Sequence, residues 1–545
     1  MAYLEGLMTD YSLDVSVIWR RAERYFAGKP VVSKLPDRSI HRSTYGELLE
    51  RSARLGAALM ELGVEPGDRV ATVMWNSYHH LELYFAIPSI GAVLHTVNLR
   101  LHPQDLSYIF NHADDRVIFV DRTVLPLITP IRDRIPAREI VVVDEGEPVP
   151  PGFLSYQDLV RSGSASRFQF RIEDERQAAA LCYTSGTTGR PKGVLYSHRS
   201  TLLHAIGVTN AEGGLGIVES DVVSPMVPMF HVNGWGLPWA ASLQGASQVL
   251  PGRHLDPASL LELFQDERVT ITAGVPTVWF GVLKLLDEGP DHYDVSTLRY
   301  MLVGGAAVPG AVLRGFWDRH RIRMIHAWGM TETSPLGSVS TARSDLAGAD
   351  DDTRFATLLT QGQATPLVEM RVCDEEGREL PWDGVSQGEL EVRGPWVARS
   401  YYRDEAAMDR FTPDGWFKTG DLVTIDARGY ITIQDRSKDV IKSGGEWISS
   451  VALENAIMGH PSVMEAAVIG MPDPRWVERP LAVAVLKPGE TLTIEEVREF
   501  LRPHFASWWL PDRLEIVDAI PHSAAGKFQK TELRRLLLTT PERRG

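Results

Sequence analysis

Residues 183–193 combine small, flexible and hydrogen-bonding residues in a run that suits phosphate binding. The run reads Tyr-Thr-Ser-Gly-Thr-Thr-Gly-Arg-Pro-Lys-Gly. Glycine lets backbone N–H groups approach an anion, since it has no side chain and tolerates positive φ. The threonine and serine hydroxyls can donate to phosphate or bind Mg2+, and Lys192 adds a positive charge. The predicted phosphate contacts are Thr184, Ser185, Gly186, Thr187, Thr188 and Gly189.

Two other interpretations of this run are weaker. A solvated linker of small polar residues has no need of this order of threonine, glycine and lysine. A Walker A loop requires lysine directly after glycine and directly before serine or threonine. Here Pro191 precedes Lys192 and Gly193 follows it. The sequence therefore predicts a phosphate loop of another kind.

Six further motifs follow the loop along the chain. They are Gly-Gly-Ala at 304–306, Trp-Gly-Met-Thr-Glu-Thr at 328–333, Gly-Trp-Phe-Lys-Thr-Gly-Asp at 415–421, Asp-Arg-Ser-Lys-Asp at 435–439, Lys-Ser-Gly-Gly-Glu-Trp at 442–447 and Ala-Gly-Lys at 525–527. In order and approximate spacing, these motifs resemble those of the adenylate-forming superfamily, which includes acyl-CoA synthetases, peptide-synthetase adenylation domains and firefly luciferase. Residues 227–233, 272–277 and 442–450 are similar, more narrowly, to bacterial medium- and long-chain fatty acyl-CoA synthetases.

The resemblance implies an acid–thiol ligase that uses ATP, Mg2+ and CoA. A carboxylate is a poor electrophile, because its charge resists attack and oxide is a poor leaving group. In the implied first step the carboxylate attacks the α-phosphorus of ATP, giving an acyl-adenylate and pyrophosphate. In the second step the thiol of CoA takes the acyl group and AMP leaves. Such a site works mainly by positioning its reactants and stabilising charge.

The resemblance also implies which residues hold the nucleotide outside the phosphate loop. They are Gly304, Gly305, Ala306, His326, Ala327, Trp328, Gly329, Asp421 and Arg436. The glycines leave room for adenine, and Trp328 offers an aromatic face for stacking. The family usually has tyrosine there, and a buried core tryptophan is the alternative. Asp421 would accept from the ribose hydroxyls, since a carboxylate can accept from both.

Three residues are implied to act in catalysis, and two to bind the metal. The predicted catalytic residues are Lys192, Thr331 and Lys527, of which Thr331 would donate to the α-phosphate. Lys527 resembles the lysine that bridges the substrate carboxylate and the α-phosphate. Ala525 replaces the hydroxyl residue common before that Gly-Lys pair. Thr184 and Glu332 resemble the ligands of Mg2+, a cation that prefers oxygen.

The resemblance of the motifs after residue 435 implies a mobile C-terminal domain. Lys438 occupies the family's hinge position, about which this domain would swing between the two half-reactions. Gly444 and Gly445 would line a narrow channel for the pantetheine arm of CoA, because glycine lets backbone approach a ligand. Lys442 and Trp447 would touch the nucleotide or cap the site.

The acyl-binding residues are predicted on less specific grounds. They are His231, Val232, Trp235, Gly305 and Gly329. His231 lies where the family lines the pocket near the carboxylate, and a structural histidine is the alternative. Trp235 stands between two glycines and resembles a ring that gates an acyl tunnel. The alternative is that Trp235 is a packed residue of the hydrophobic core.

Composition bounds the function further. The 545 residues carry a net charge of −15, which argues against general affinity for nucleic acid or anionic membrane. Two cysteines cannot make a disulfide framework or a zinc cluster, and Cys182 follows small apolar residues typical of a buried strand. The N-terminus shows no signal peptide, and the apolar residues 83–97 are broken by Pro88 and Gly91. We therefore expect a cytoplasmic enzyme without a membrane span, and the resemblance adds a homodimer formed through the N-terminal domain.

The chain alternates helical apolar spacing with short β-branched runs, which predicts α/β layers. Examples are a helix at 45–65 followed by a strand at 69–74, and a helix at 257–265 followed by a strand at 269–272. After about residue 365 the pattern favours antiparallel strands. We predict a large N-terminal domain, residues 1–435, made of layered α/β subdomains and a β-rich subdomain. A small α+β domain, residues 436–545, would follow it with a hinge near Lys438.

Several functions stay open at this point. The leading one is a ligase for medium- or long-chain fatty acids. The same motifs suit a CoA ligase for short, branched, sulfur-bearing or aromatic acids, or an adenylation enzyme that loads a carrier protein. A luciferase-like oxygenase shares the adenylation step. A nucleotide-binding regulator without catalysis fits poorly, since Thr184, Glu332, Asp421 and Lys527 are all present.

Overall fold

The computed structural model describes most of the chain in four β-sheets covered by helices. The described residues are 4, 6–184, 190–211, 213–289, 292–306, 308–346, 348–443, 446–522 and 528–538.

The first part of the chain supplies all seven strands of one sheet and the edge of another. Its strands are β1 (Pro30–Lys34), β2 (Ile40–Thr44), β3 (Arg69–Val73), β4 (Val93–Thr96), β5 (Asp115–Asp121), β6 (Glu139–Val143), β7 (Leu154–Ser155), β8 (Ala178–Tyr183) and β9 (Gly193–Ser197). Its helices are α1 (Val15–Phe26), α2 (Tyr45–Glu61), α3 (Tyr78–Ser89), α4 (Pro103–Ala113), α5 (Leu125–Ile128), α6 (Tyr156–Ser162) and α7 (His198–Thr209).

The middle of the chain alternates strands and helices. Its strands are β10 (Val222–Pro225), β11 (Ser247–Leu250), β12 (Ile271–Gly274), β13 (Tyr300–Val303), β14 (Arg323–Gly329), β15 (Leu336–Val339) and β16 (Gln363–Ala364). Its helices are α8 (Val232–Trp235), α9 (Leu237–Gln244), α10 (Pro257–Asp266), α11 (Pro276–Glu288), α12 (Gly310–His320) and α13 (Asp351–Leu359).

The last part of the chain is richer in antiparallel strands. They are β17 (Glu369–Cys373), β18 (Gly388–Arg393), β19 (Phe417–Ile425), β20 (Ile431–Arg436), β21 (Ile441–Ser443), β22 (Glu446–Ile448), β23 (Val463–Asp473), β24 (Val477–Leu486) and β25 (Arg513–Ile516). The accompanying helices are α14 (Ser450–Ile457), α15 (Ile494–Leu501) and α16 (Lys530–Leu538).

Two large sheets are parallel in their centres. The seven-stranded sheet has the order β7-β6-β5-β3-β4-β8-β9, with only the β8–β9 pair antiparallel. The nine-stranded sheet has the order β16-β15-β14-β13-β12-β10-β11-β1-β2, with antiparallel strands at both ends. Ligands of such folds bind at the carboxyl ends of parallel strands. The phosphate loop follows β8 and residues 304–306 follow β13, so both leave a sheet at that kind of edge.

Two smaller sheets follow in the chain. A four-stranded antiparallel sheet, β17-β18-β19-β20, ends at Arg436. A five-stranded sheet begins at Ile441 and includes the long β23–β24 hairpin. The predicted α/β class with an antiparallel C-terminal part is confirmed by this arrangement.

Local sequence signals account for many element boundaries. Helix α2 begins at Tyr45 because Thr44 and Glu47 form a capping box, and it buries Leu48 and Leu55 as its apolar spacing predicted. Residues 83–97 form the end of the fully buried α3 and then β4, so this apolar stretch is core and not a membrane span. The strand predicted at 269–272 starts later, at Ile271, because the Val269 amide still donates to Phe264 and closes the end of α10. Across the described residues, no helix combines the length and apolar character needed to span a bilayer.

Candidate active site

A pair of hydrogen bonds closes the neck of the phosphate loop. Tyr183 pairs with Gly193 at the end of the antiparallel β8–β9 pair. The Thr184 amide then donates to the Lys192 carbonyl at 2.9 Å. The Lys192 amide donates to Oγ1 of Thr184 at 3.1 Å, which fixes that hydroxyl oxygen. The two predicted site residues that border the loop are therefore held together, while Ser185, Gly186, Thr187, Thr188 and Gly189 lie outside the described residues.

The predicted adenine-binding residues lie at the ends of the neighbouring strands β13 and β14. A Cβ atom on Gly304 would lie 2.9 Å from the Ala327 carbonyl oxygen and 3.2 Å from the Trp235 ring. Gly305 has φ of +83°, which favours glycine at that position. His326 is 4% exposed, and burial lowers its pKa, so its imidazole is neutral near pH 7. Gly304 thus packs so closely against β14 and the Trp235 ring that no side chain fits at that position.

The Trp328 indole, the Asp421 carboxylate and the Arg436 guanidinium form a chain of contacts. Nε1 of Trp328 donates to Oδ2 of Asp421 at 2.8 Å. Nε of Arg436 lies 2.5 Å from Oδ1 of the same carboxylate, across the β19–β20 pair. Asp421 is 1% exposed, so this carboxylate is buried and compensated by a charged and a neutral donor. The structure brings together three residues that the sequence placed around the nucleotide.

Glu332 and Thr331 lie in a short turn that neighbouring segments hold firmly. The Tyr196 hydroxyl donates to the Thr331 carbonyl at 2.7 Å. The Ala398 amide donates to the Glu332 carbonyl at 2.7 Å. The Tyr401 hydroxyl donates to Oε1 of Glu332 at 2.6 Å, and the Glu332 residue is 6% exposed. These contacts therefore hold the Glu332 carboxylate in a fixed position, as a binding site for a hard cation requires.

Lys192 lies on the other side of the Tyr401 ring. Its Nζ lies 4.8 Å from the ring centroid and 3.8 Å from Oδ2 of Asp404. A cation over an aromatic face is attracted to the ring. The Tyr402 amide donates to the Gly193 carbonyl at 2.8 Å, which ties this segment to the exit of the phosphate loop. One segment thus contacts both the loop lysine and the Glu332 turn.

Two of the predicted acyl residues, Val232 and Trp235, lie on α8, which is an unusual left-handed turn. From Val232 to Gly236 every φ is positive, between 47° and 71°. Left-handed backbone is costly for residues other than glycine, so surrounding contacts must hold Val232, Asn233 and Trp235. The Thr96 hydroxyl and the Cys182 thiol both donate to Oδ1 of Asn233, at 3.2 and 3.3 Å.

The start of this turn adjoins Thr184, the residue that begins the predicted phosphate loop. His231 and Thr184 line one small cavity together with Tyr183 and Phe230. Cys182, which precedes the cavity residue Tyr183 in the sequence, is a buried residue of β8, as predicted. The first acyl residue and the first phosphate-loop residue therefore face a shared space.

The predicted C-terminal site residues fall into two groups. Lys438 is exposed in the turn after β20, and Lys442 lies on β21 with its Nζ 5.9 Å from the Trp447 ring on β22. The Lys442–Trp447 pair belongs to the five-stranded sheet, and Asp421 and Arg436 to the four-stranded sheet. Gly444, Gly445 and Lys527 lie outside the described residues.

Sequence reasoning missed several side chains that support this site. They are Tyr196, His204, Tyr401 and Asp404. Nε2 of His204 accepts from the Leu336 amide at 3.2 Å, just beyond the Glu332 turn, and the His204 ring fills the space where Gly236 lacks a side chain. The two adjacent tyrosines at 401–402 were the available sequence signal of this supporting segment, but no spacing rule connects them to Glu332.

A model of the AMP-binding enzyme family matches residues 18–402. The model of the AMP-binding enzyme C-terminal domain matches residues 452–527. The chain belongs to the AMP-binding enzyme family. It is an enzyme of the acid–thiol ligase type, and its reaction uses ATP, Mg2+ and CoA.

Similar proteins cover almost the whole chain. The "Long-chain-fatty-acid--CoA ligase" of Thermus thermophilus is 47% identical, over 97% of this chain and 96% of the relative. The "3-methylmercaptopropionyl-CoA ligase" of Ruegeria lacuscaerulensis is 43% identical, over 97% of this chain and 98% of the relative. The solved structure of the anthranilate CoA ligase AuaEII with anthranoyl-AMP superposes with a TM-score of 0.85 at 28% identity, covering 97% of this chain and 99% of that one.

The donor set of the described residues fits these small molecules. Oγ1 of Thr184 and the Glu332 carboxylate are oxygen donors suited to Mg2+. Lys192 and Arg436 carry positive charge on the phosphate-loop side and the Asp421 side of the site.

Proposed function

We propose that the protein is an ATP- and Mg2+-dependent CoA ligase for medium- and long-chain fatty acids. The observation that carries the proposal is the cavity shared by Thr184 and His231. A carboxylate bound beside His231 would therefore lie next to an ATP whose phosphates are bound by the loop that begins at Thr184. The 47% identity to the Thermus thermophilus ligase supports a fatty acid as the acid substrate.

In the proposed first step a carboxylate oxygen bonds to the α-phosphorus, and the bond from that phosphorus to the β-bridging oxygen breaks. Thr184 and Glu332 hold Mg2+, which when bound neutralises charge on the triphosphate. Thr331 donates to the α-phosphate, and Lys192 adds positive charge beside the phosphates. Trp328 and Asp421 orient the nucleoside, with Arg436 fixing the carboxylate of Asp421. Lys527, outside the described residues, bridges the two reacting groups.

In the proposed second step the CoA sulfur bonds to the acyl carbon, the acyl–oxygen bond to AMP breaks, and the thiol proton passes to solvent. We propose that residues 436–545 act as a separate small domain that turns near Lys438 between the steps. The exposed position of Lys438, in a turn between two sheets, supports a hinge there. Gly444 and Gly445 then line the path of the pantetheine arm.

A second substrate class is favoured by a specific observation. The Ruegeria lacuscaerulensis relative, named for a sulfur-bearing short acid, is nearly as similar as the Thermus thermophilus one. A short acid would not need the acyl tunnel that Trp235 is expected to gate. The chain-length profile of this enzyme therefore decides between the two substrate classes.

The proposal extends to assembly and location. A homodimer formed through the N-terminal domain is supported by the side chains of Leu4, Leu7 and Met8, which are 99%, 92% and 87% exposed. A cytoplasmic location is supported by two buried free cysteines. Sedimentation velocity and cell fractionation test these two points, and a monomer or a secreted protein would refute them.

The decisive experiment measures loss of the CoA thiol and release of AMP with ATP and Mg2+. The acids tested run from propionate to palmitate, with 3-methylmercaptopropionate and benzoate alongside. Highest kcat/KM among the medium- and long-chain acids supports the proposal, whereas a maximum at the sulfur-bearing acid replaces the substrate and keeps the reaction. Lys527→Ala should lose most pyrophosphate release while keeping its melting temperature. Absence of thiol loss and of AMP release with every acid would overturn the proposed function.

A further inference from the structure

The Tyr401 side chain stands between the two opposite charges of the phosphate side of the site. Its hydroxyl donates to Oε1 of Glu332 at 2.6 Å, and its ring lies 4.8 Å from Nζ of Lys192. Tyr401 is 7% exposed. A single buried side chain therefore contacts the carboxylate through its edge and the ammonium through its face.

The position of the Tyr401 ring is fixed from several sides. The Phe411 ring packs against it with centroids 5.5 Å apart and a 65° angle between planes. The backbone before it is tied to the Glu332 turn by the Ala398 amide, and the backbone after it to Gly193 by the Tyr402 amide. The ring cannot leave without breaking these packing contacts, so it is a rigid spacer.

We propose that Tyr401 is a positioning residue that keeps Lys192 and Glu332 apart and available for Mg·ATP. The inference rests on the proposed function, in which Glu332 binds Mg2+ and Lys192 faces the phosphates. Within the described residues, the ion pair of Lys192 is with Asp404 and not with Glu332. The Lys192–Asp404 pair is partly exposed and 3.8 Å long, so it is weak and can yield to a polyphosphate.

Direct pairing of Lys192 with Glu332 would disable both residues. Because Glu332 is buried, a pair of Lys192 with this carboxylate would be less screened by water than the Lys192–Asp404 pair. It would occupy the carboxylate oxygens needed by Mg2+ and the ammonium needed by phosphate. The tyrosine prevents this pairing because its hydroxyl satisfies one carboxylate oxygen without neutralising its charge, while its face attracts the ammonium.

The test measures acid-dependent ATP–pyrophosphate exchange as a function of free Mg2+. Tyr401→Phe keeps the ring and removes the hydroxyl, and we expect it to raise the half-saturating Mg2+ concentration about tenfold. Tyr401→Leu also removes the ring face, and we expect a larger loss, because the released Lys192 ammonium can then pair with the Glu332 carboxylate. Tyr402→Phe, which removes a hydroxyl from the neighbouring residue, should match the wild type.

A double-mutant cycle separates positioning from general stability. In the Glu332→Gln background, Tyr401→Phe should add little further change, because the carboxylate it positions is gone. An equal effect of Tyr401→Phe in both backgrounds would overturn the inference. So would a wild-type Mg2+ dependence in Tyr401→Phe beside a strongly impaired Glu332→Gln, and this result leaves the proposed function standing. Absence of Mg2+-dependent exchange in the wild type with every acid defeats both.

Discussion

The indole of Trp328 donates to the carboxylate of Asp421 at 2.8 Å, although the two residues lie 93 positions apart. The bond fixes the plane of the indole and uses a lone pair of Oδ2, while Arg436 uses Oδ1. The aromatic face and the acidic acceptor that the sequence assigned separately to adenine and ribose therefore form one unit. The nucleoside would meet a pre-oriented ring and carboxylate.

Removing that indole donor should weaken ATP binding. Trp328→Phe keeps an aromatic face but leaves a buried carboxylate oxygen without its donor, so we expect KM for ATP to rise about tenfold. Trp317→Phe changes a tryptophan that is 49% exposed on α12 and should leave KM unchanged. An unchanged KM in Trp328→Phe, with only a lower melting temperature, would mean that the bond serves the fold alone.

Adding one methyl group at Gly304 should lower the activity of the enzyme towards both ATP and the acid. The new Cβ would lie 2.9 Å from the Ala327 carbonyl oxygen and 3.2 Å from the Trp235 ring. Contacts this short force the neighbours to move, and we expect kcat/KM to fall by more than about tenfold for ATP and for the acid. Trp235→Ala in the same chain removes one of the two clashes and should restore part of the activity. Gly28→Ala, where a Cβ meets no atom within 4 Å, is the matched control and should behave as the wild type.

Acid should destabilise the protein partly through His204. Burial lowers the pKa of His204 from its ordinary 6.5 to about 3, and its Nε2 accepts from the Leu336 amide. The folded chain therefore keeps this histidine neutral, whereas the unfolded chain binds a proton below about pH 6.5. Its contribution to stability is complete above that pH and is lost as pH falls from about 6.5 towards 3, at up to about 1.4 kcal/mol per pH unit.

The measurement is the melting temperature of wild type and His204→Gln as a function of pH. Glutamine can still accept from Leu336 but does not titrate, so its melting temperature should fall less steeply on acidification. Parallel curves for the two proteins would show that this histidine does not contribute to the acid sensitivity.

The cysteines of the native enzyme should not react in assays that follow the CoA thiol. Burial raises the pKa of Cys182 to about 11, and Cys182 and Cys373 are 1% and 2% exposed. Because the thiolate is the reactive form, the native enzyme should show no thiol reacting quickly with DTNB at about pH 8. After denaturation both cysteines of the chain should react. Rapid reaction of a thiol in the native enzyme would contradict the buried positions of both.

The sequence predicted the local elements well because their signals are local. The capping pair Thr44–Glu47 and the apolar spacing after it specify α2 wherever that helix packs. The sequence did not predict the left-handed turn, because Val232 and Trp235 disfavour positive φ. Tertiary contacts hold the turn, such as those of Asn233 with strands β4 and β8. Gly234 and Gly236 were the only hint.

What the sequence determined by itself is the set of chemical groups, because motif order and residue type carry that information without any fold. It supplied the phosphate loop with Lys192, the acidic residues Glu332 and Asp421, and the α/β alternation that holds them. Only the tertiary structure decided how these groups meet. The Tyr401 hydroxyl reaches a carboxylate 69 residues away, and the Trp328 indole reaches Asp421 from another sheet. The physical reason is that a hydrogen bond depends on distances of a few tenths of an ångström, which are set by how whole sheets pack and not by the spacing of residues along the chain.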